Sequence, residues 1–186
     1  MVTLICGPMY GGKSSALVQK MERYIYAKKH ICFIRPKRDN RGYVTHSGLV
    51  DIQKILKDGD SLFEIEEFDE INTINFLKYD AVFVDEYFMI KNCKMLCTTM
   101  PMRTHCDIYF AGLLATSENE LFDEAKSILP YCDEILKLNA VCMNCGSQHG
   151  NYSAYFGGDK KDTILVGDNL YKALCRRCYK EIIGKL

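Results

Sequence analysis

The sequence predicts an α/β fold, a parallel sheet flanked by helices, with a small metal-binding module at its C-terminal end. Three observations carry that expectation. A strand-helix-strand pattern fills about the first 35 residues. A further buried-strand pattern ends in two adjacent acids, Asp85 and Glu86. Two Cys-x-x-Cys pairs frame the segment beyond residue 141.

Taken in order, Val2 to Cys6 is short, apolar and halted by Gly7-Pro8, the pattern of a buried strand ending in a turn. From Lys13 to Lys28, Ala16, Leu17, Met21, Tyr24 and Ile25 recur near helical spacing, leaving Lys20, Glu22 and Arg23 for water. Ile31 to Arg35 repeats the strand pattern and Pro36 stops it. So short a strand-helix-strand succession implies a parallel βαβ unit. Residues 37 to 60 are polar and weakly periodic and read as a long loop, with faint strand and helix signals between Leu62 and Leu77. Ala81 to Asp85 is a third buried strand; Cys106 to Ala111 and Glu134 to Val141 read as two more, separated by a helix beginning near Glu118. Near residue 140 the alternation gives way to a turn-rich end, which divides the chain into an α/β domain over 1–140 and a cysteine-framed domain over 141–186.

At 186 residues the chain can bury one full core plus an accessory piece. Its 24 basic residues equal its 24 acidic ones, so no broad field draws it to a nucleic-acid backbone or an anionic membrane. No apolar run approaches the roughly 20 residues that span a bilayer, and the N-terminus runs into the glycine loop without a signal-peptide pattern. The expectation is a cytoplasmic protein whose ten cysteines are reduced.

Gly7-Pro8-Met9-Tyr10-Gly11-Gly12-Lys13-Ser14 satisfies G-x-x-x-x-G-K-[ST] and lies where that pattern has mechanical meaning, between a buried strand and a helix start. Its glycines let backbone N–H groups face phosphate oxygens, the helix N-terminus adds positive potential, Lys13 supplies a cation and Ser14 a hydroxyl for magnesium. In a parallel sheet Asp85 and Glu86 share an edge with this loop. One acid can hold magnesium and its neighbour can accept a proton from an attacking hydroxyl. Cys142-x-x-Cys145 and Cys175-x-x-Cys178 offer four thiolates that suit one tetrahedral, closed, structural zinc; a redox pair or unpaired core thiols are the rival readings. Cys6, Cys32, Cys93, Cys97, Cys106 and Cys132 form no second paired set and read as small core residues, Cys93 and Cys97 being one helical turn apart.

With these features placed, the chain resembles the zinc-containing thymidine kinases of cellular, bacterial and large-DNA-virus type over nearly its whole length. Gly-Pro-Met-Tyr-Gly-Gly-Lys-Ser at 7–14 is similar to that family's Gly-Pro-Met-Phe-Ser-Gly-Lys-Ser, Thr45-His46-Ser47-Gly48 to its Thr-His-Ser/Asp segment, the stretch Leu138 to Cys145 to its Leu-Thr-Ala-Val-Cys-Met-x-Cys, and Cys175-Arg-Arg-Cys-Tyr179 to its Cys-Arg-x-Cys-Tyr. The resemblance implies transfer of the ATP γ-phosphate to the 5′-hydroxyl of thymidine, with Glu86 as base, Asp85 assisting Mg²⁺, and Arg41 near the phosphates. It implies structural Zn²⁺, a homotetramer, and a C-terminal lasso over the base that brings Ile164, Leu165, Val166 and Tyr171 along the nucleoside. Met9, Met89, Leu113, Ser117, Phe122 and Ser153 would line the same pocket.

The chain departs from the family at three places. The usual Asp-Glu-Gly/Ala-Gln-Phe reads Asp85-Glu86-Tyr87-Phe88-Met89, Gly-Leu-Asp-Gly-Thr-Phe reads Gly112-Leu113-Leu114-Ala115-Thr116-Ser117, and a lasso Gly-Gly reads Val166-Gly167. These motivate a second reading, a nucleotide-binding regulatory protein of the same fold with weakened turnover. A zinc-ribbon nucleic-acid ATPase is the third, supported only by the modest basic cluster Lys160-Lys161, Lys172 and Arg176-Arg177.

Overall fold

A computed structural model describes residues 1–37, 63–72, 78–99, 105–157 and 170–184. Six strands form one sheet: β1 (Val2–Cys6), β2 (Ile31–Pro36), β3 (Phe63–Phe68), β4 (Ala81–Asp85), β5 (Asp107–Gly112) and β6 (Glu134–Lys137). They lie in the order β3-β2-β4-β5-β1-β6, every neighbouring pair parallel. A parallel sheet needs cover on both faces, and the period-2 alternation of side chains supplies apolar groups to both. Ile5, Phe33, Phe83 and Tyr109 point to one side, where Leu17, Val18 and Met21 of helix α1 (Lys13–Tyr26) pack on them. Leu4, Cys6, Ile34, Val84 and Phe110 point to the other, against Leu96 of α2 (Lys94–Thr99), Ala125 and Ile128 of α3 (Asp123–Ile128), and the 3₁₀ turn Tyr87–Met89. A second sheet pairs β7 (Tyr152–Tyr155) antiparallel with β8 (Tyr171–Leu174), and α4 (Arg176–Ile183) follows at once.

The expected strands and first helix are present with ends moved by a residue or two, apart from two larger differences. The helix expected near Glu118 begins at Asp123 instead. Residues 115–121 are held as a turn: Ala115 and Leu121 bridge antiparallel, Asn119 has φ 65°, and Thr116 Oγ1 accepts the amides of Glu118 and Glu120 at 3.2 and 3.3 Å. A threonine competing for main-chain donors in this way delays the helix. The strand expected over Glu134 to Val141 ends at Lys137. After the Leu138 amide reaches the Cys6 carbonyl at 2.8 Å the chain leaves the sheet, and Ala140 bridges to Gly150. The short α2 and the 3₁₀ turn had no clear sequence signal. Most of the polar stretch 37–60 lies outside the described residues, and its faint downstream strand signal is β3.

The carboxyl ends of β1, β4 and β5 are neighbours along one edge, so the segments leaving them, 7–14, 85–89 and 113–122, meet there. In open α/β sheets this edge is where ligands bind.

Candidate active site

Burial of β1 carries the chain to Gly7, where the backbone passes so close to β6 that a Cβ would sit 2.6 Å from the Leu138 carbonyl oxygen. The loop then turns tightly. Gly11 donates its amide to the Pro8 carbonyl at 3.2 Å, and Gly12 takes φ 76° at the start of α1, a conformation that glycine adopts without a side-chain penalty. Tyr10 also stands in the left-handed region, φ 62°, which marks a loop held by its surroundings. Lys13 is only 8% exposed, and its Nζ donates to the Pro8 carbonyl at 2.7 Å, so the cation is held inside the loop's own curve.

Asp85, 2% exposed at the end of β4, faces this loop: Ser14 Oγ donates to its carboxylate, lying 3.3 Å from both oxygens. One oxygen donor from each of two elements thus converges on one point, the arrangement a hard divalent cation takes beside phosphates. Glu86 follows with φ 49° and ψ 41°, an uncommon backbone for a residue with a side chain. It is half-buried, while Tyr87 and Phe88 are fully inside. The Tyr87 hydroxyl donates to the Leu113 carbonyl at 3.0 Å, the Phe88 ring lies 4.6 Å from that of Phe122, and burial pushes the Tyr87 phenol pKa up. Gly112 makes room for both rings, since a Cβ there would lie 2.9 Å from Tyr87. The strained acid is therefore anchored from behind by two buried aromatics.

The remaining expected site residues are distributed around this edge. Met89 and Leu113 are half-buried against the core that contains Phe88 and Phe122. Where the family carries an amide after its acid pair, this chain places Phe88 as a packed core ring. Ser117 turns its Oγ toward Glu118 at 3.4 Å, while its carbonyl accepts the hydroxyl of Tyr179. Tyr171 packs on Tyr155 with ring centroids 5.3 Å apart. Ser153 Oγ accepts the Met9 amide at 3.0 Å, tying β7 to the phosphate loop. Arg41, Ile164, Leu165 and Val166 lie outside the described residues, as do Thr45 to Gly48. Sequence reasoning missed the Tyr179, Gly112 and Ser153 contacts as structural links. Tyr179 alone had a visible signal, its place directly after Cys178.

The four cysteines converge. The Sγ atoms of Cys142, Cys145, Cys175 and Cys178 all lie within 4.8 Å of one another, and those of Cys145 and Cys175 are 3.7 Å apart. Tetrahedral zinc with bonds of about 2.3 Å would set sulfurs about 3.8 Å apart, so the donor set fits such an ion. The turn at Cys142 favours ionised sulfur. Burial acts to raise the Cys142 thiol, but the amides of Cys175, Asn144 and Cys145 outweigh it and bring its pKa to about 6. Asn144 Nδ2 donates to Cys178 Sγ at 3.2 Å, which favours its thiolate, yet burial and the three neighbouring thiols hold that pKa up at about 11. Thiols so close cannot all ionise together without a cation among them. Elsewhere burial raises the pKa values of Cys6, Cys32, Cys93, Cys97, Cys106 and Cys132, as expected of core thiols.

Comparison with known proteins gives a consistent picture. A family model described as thymidine kinase matches residues 1–179. A thymidine kinase of Pseudothermotoga lettingae is 30% identical over 189 residues, covering 99% of this chain and 97% of that protein. Those of Rabbit fibroma virus and of Vaccinia virus (strain Ankara) are 27% and 28% identical over 181 and 182 residues, covering 96% of this chain and 95% and 96% of the relatives. No helix among the described residues is long and apolar enough to cross a membrane.

Proposed function

The chain belongs to the thymidine kinase family, and on that premise we propose that it moves the γ-phosphate of ATP to the 5′-hydroxyl of thymidine, in the cytoplasm, as a homotetramer. The observation that carries the reading is the meeting of Ser14 with Asp85 at 3.3 Å, with Glu86 the next residue along the chain. It joins the two halves of a phosphoryl-transfer site that the sequence holds 71 positions apart.

Main-chain N–H groups of Gly12 to Ser14 and the Lys13 ammonium hold the donor phosphates, and Arg41 stabilises charge beside them. Ser14 and Asp85 would hold Mg²⁺, which would neutralise charge on the donor phosphates. Glu86 takes the proton of the 5′-hydroxyl as that oxygen bonds to the γ-phosphorus. The bond from that phosphorus to the β–γ bridging oxygen breaks, and its electron pair leaves on ADP. Met9, Met89, Leu113, Ser117, Phe122, Ser153, Ile164, Leu165, Val166 and Tyr171 position the nucleoside. The four cysteines would hold Zn²⁺ as a closed structural site that ties the turn at Cys142–Cys145 to the start of α4. A regulatory protein with weakened turnover is not the reading favoured, because Lys13, Ser14, Asp85 and Glu86 are all present and Ser14 and Asp85 meet.

The test is label transfer from γ-labelled ATP to a panel of nucleosides, comparing wild type with Glu86→Gln. Wild type labels thymidine, and the variant loses roughly 100- to 10,000-fold in kcat with donor KM little changed. Absence of transfer to every nucleoside contradicts the activity; undiminished transfer by Glu86→Gln removes that residue as the base.

A further inference from the structure

The Met9 amide sits within the phosphate loop, yet its partner belongs to neither that loop nor the large sheet. It donates to Ser153 Oγ, 144 positions away, at 3.0 Å, and Ser153 is 9% exposed. Ser153 is in β7, opposite Ala173 of β8. The Ala173 carbonyl in turn accepts the amide of Met143 at 2.8 Å, the residue after Cys142, and β8 runs directly into Cys175. From the cysteine cluster to the phosphate loop there is thus an unbroken path: one main-chain hydrogen bond, two paired strands and one hydroxyl. A second tie runs from Tyr179, directly after Cys178, to the Ser117 carbonyl in the segment leaving β5.

We infer that Ser153 is a positioning residue through which the metal-bound cysteine lobe fixes the phosphate loop, so that zinc governs donor-nucleotide binding as well as the nucleoside side. The inference rests on the phosphate-loop reading above and adds to it a role for the lobe in holding ATP. Gly11 and Lys13 both satisfy the Pro8 carbonyl from inside the loop, and Gly7 abuts Leu138 at its base. The Ser153 hydroxyl holds the intervening residue from outside. Without it the Met9 peptide must find water in a half-buried position, and the residues after it, Tyr10 in its left-handed conformation among them, lose a fixed starting point.

The experiment has two readouts on the full chain: hydrogen exchange at the Met9 amide, and titration with a fluorescent ATP analogue plus magnesium in the absence of nucleoside. Each is made on wild type, Ser153→Ala and Ser153→Thr, with zinc bound and after chelation. With zinc bound, Ser153→Ala speeds Met9 exchange and weakens analogue binding by about 5-fold, the worth of one ordinary hydrogen bond, while zinc content stays at wild type. Ser153→Thr, which keeps the hydroxyl, restores both. Chelation weakens analogue binding in wild type but adds little in Ser153→Ala, since the link is already cut. Unchanged Met9 exchange in Ser153→Ala overturns the inference, as does a chelation effect of equal size in both proteins. If Ser153→Ala fails to fold, wild type alone decides: Met9 exchange indifferent to chelation overturns the inference and faster exchange supports it. Wild type that binds no analogue at all breaks the phosphate-loop reading instead, and the exchange arm still settles the Ser153 link.

Discussion

Replacing Gly112 with alanine tests the packing that supports the acid pair. The new Cβ would lie 2.9 Å from Cδ1 and 3.0 Å from Cε1 of Tyr87, and 3.0 Å from Cδ1 of Phe88. Carbon atoms rest at about 3.5–4.0 Å, so both rings must retreat by roughly 0.5–1 Å. Both are held: the Tyr87 hydroxyl by the Leu113 carbonyl, the Phe88 ring by Phe122. Overpacking of this kind destabilises by about 1–3 kcal/mol, which for a chain of this size lowers the melting midpoint by roughly 2–12 °C. The retreat also pulls on Glu86, whose backbone at φ 49° has little latitude, and a displacement near 1 Å can lower kcat by about 100-fold. Thermal melts with zinc content monitored, alongside label transfer to thymidine, read both effects. A variant that melts and turns over like wild type would refute the wedge; one that melts early but turns over normally would refute its connection to Glu86.

Two other perturbations reach parts of the molecule away from that wedge. Cys145→Ser, or chelation of wild type, should take zinc from one per chain to near zero and open β7, β8 and α4 to limited proteolysis while β1 and α1 stay resistant; a variant that keeps its zinc contradicts the four-thiolate site. At the opposite end of the sheet, hydrogen bonds from Lys78 and Tyr79 hold the Glu64 carboxyl down to about 2, below its ordinary value of 4.5. A folded-state pKa below the unfolded one gives stability that is present above the unfolded value and lost as pH falls toward the folded one. Glu64→Gln should therefore cost about 1 kcal/mol at neutral pH, discounted because the side chain is 31% exposed, and the gap in urea midpoint should close between pH 4.5 and 2; a gap independent of pH contradicts this.

What the sequence made legible were features whose physics is local or periodic. β1, α1, β2 and β4 announce themselves by alternation, spacing and stops at Gly7 and Pro36, and the phosphate loop and Cys-x-x-Cys pairs carry their meaning in fixed spacings. The delayed start of α3 was not legible, because whether Thr116 serves a turn or a helix depends on which amides its hydroxyl captures. Nor could sequence say that Phe88 would become a core ring packed against Phe122, since 34 positions separate them and only the sheet order brings them together. Ser153 is the clearest case. A serine in a strand carries no local signal, and its role appears only when residue 9 is seen beside it.

Lys13 has a consequence in time as well as in space. A lysine side chain in water samples many rotamers, and confining one loses up to about 2 kcal/mol of entropy. Here the ammonium is already fixed to the Pro8 carbonyl and nearly out of contact with solvent. That confinement is completed when the chain folds. Under the proposed function, an arriving nucleotide would find the cation in place and have only to draw it from a carbonyl to a phosphate oxygen, so the loop would meet each ATP as a finished tool rather than assembling one at every turnover.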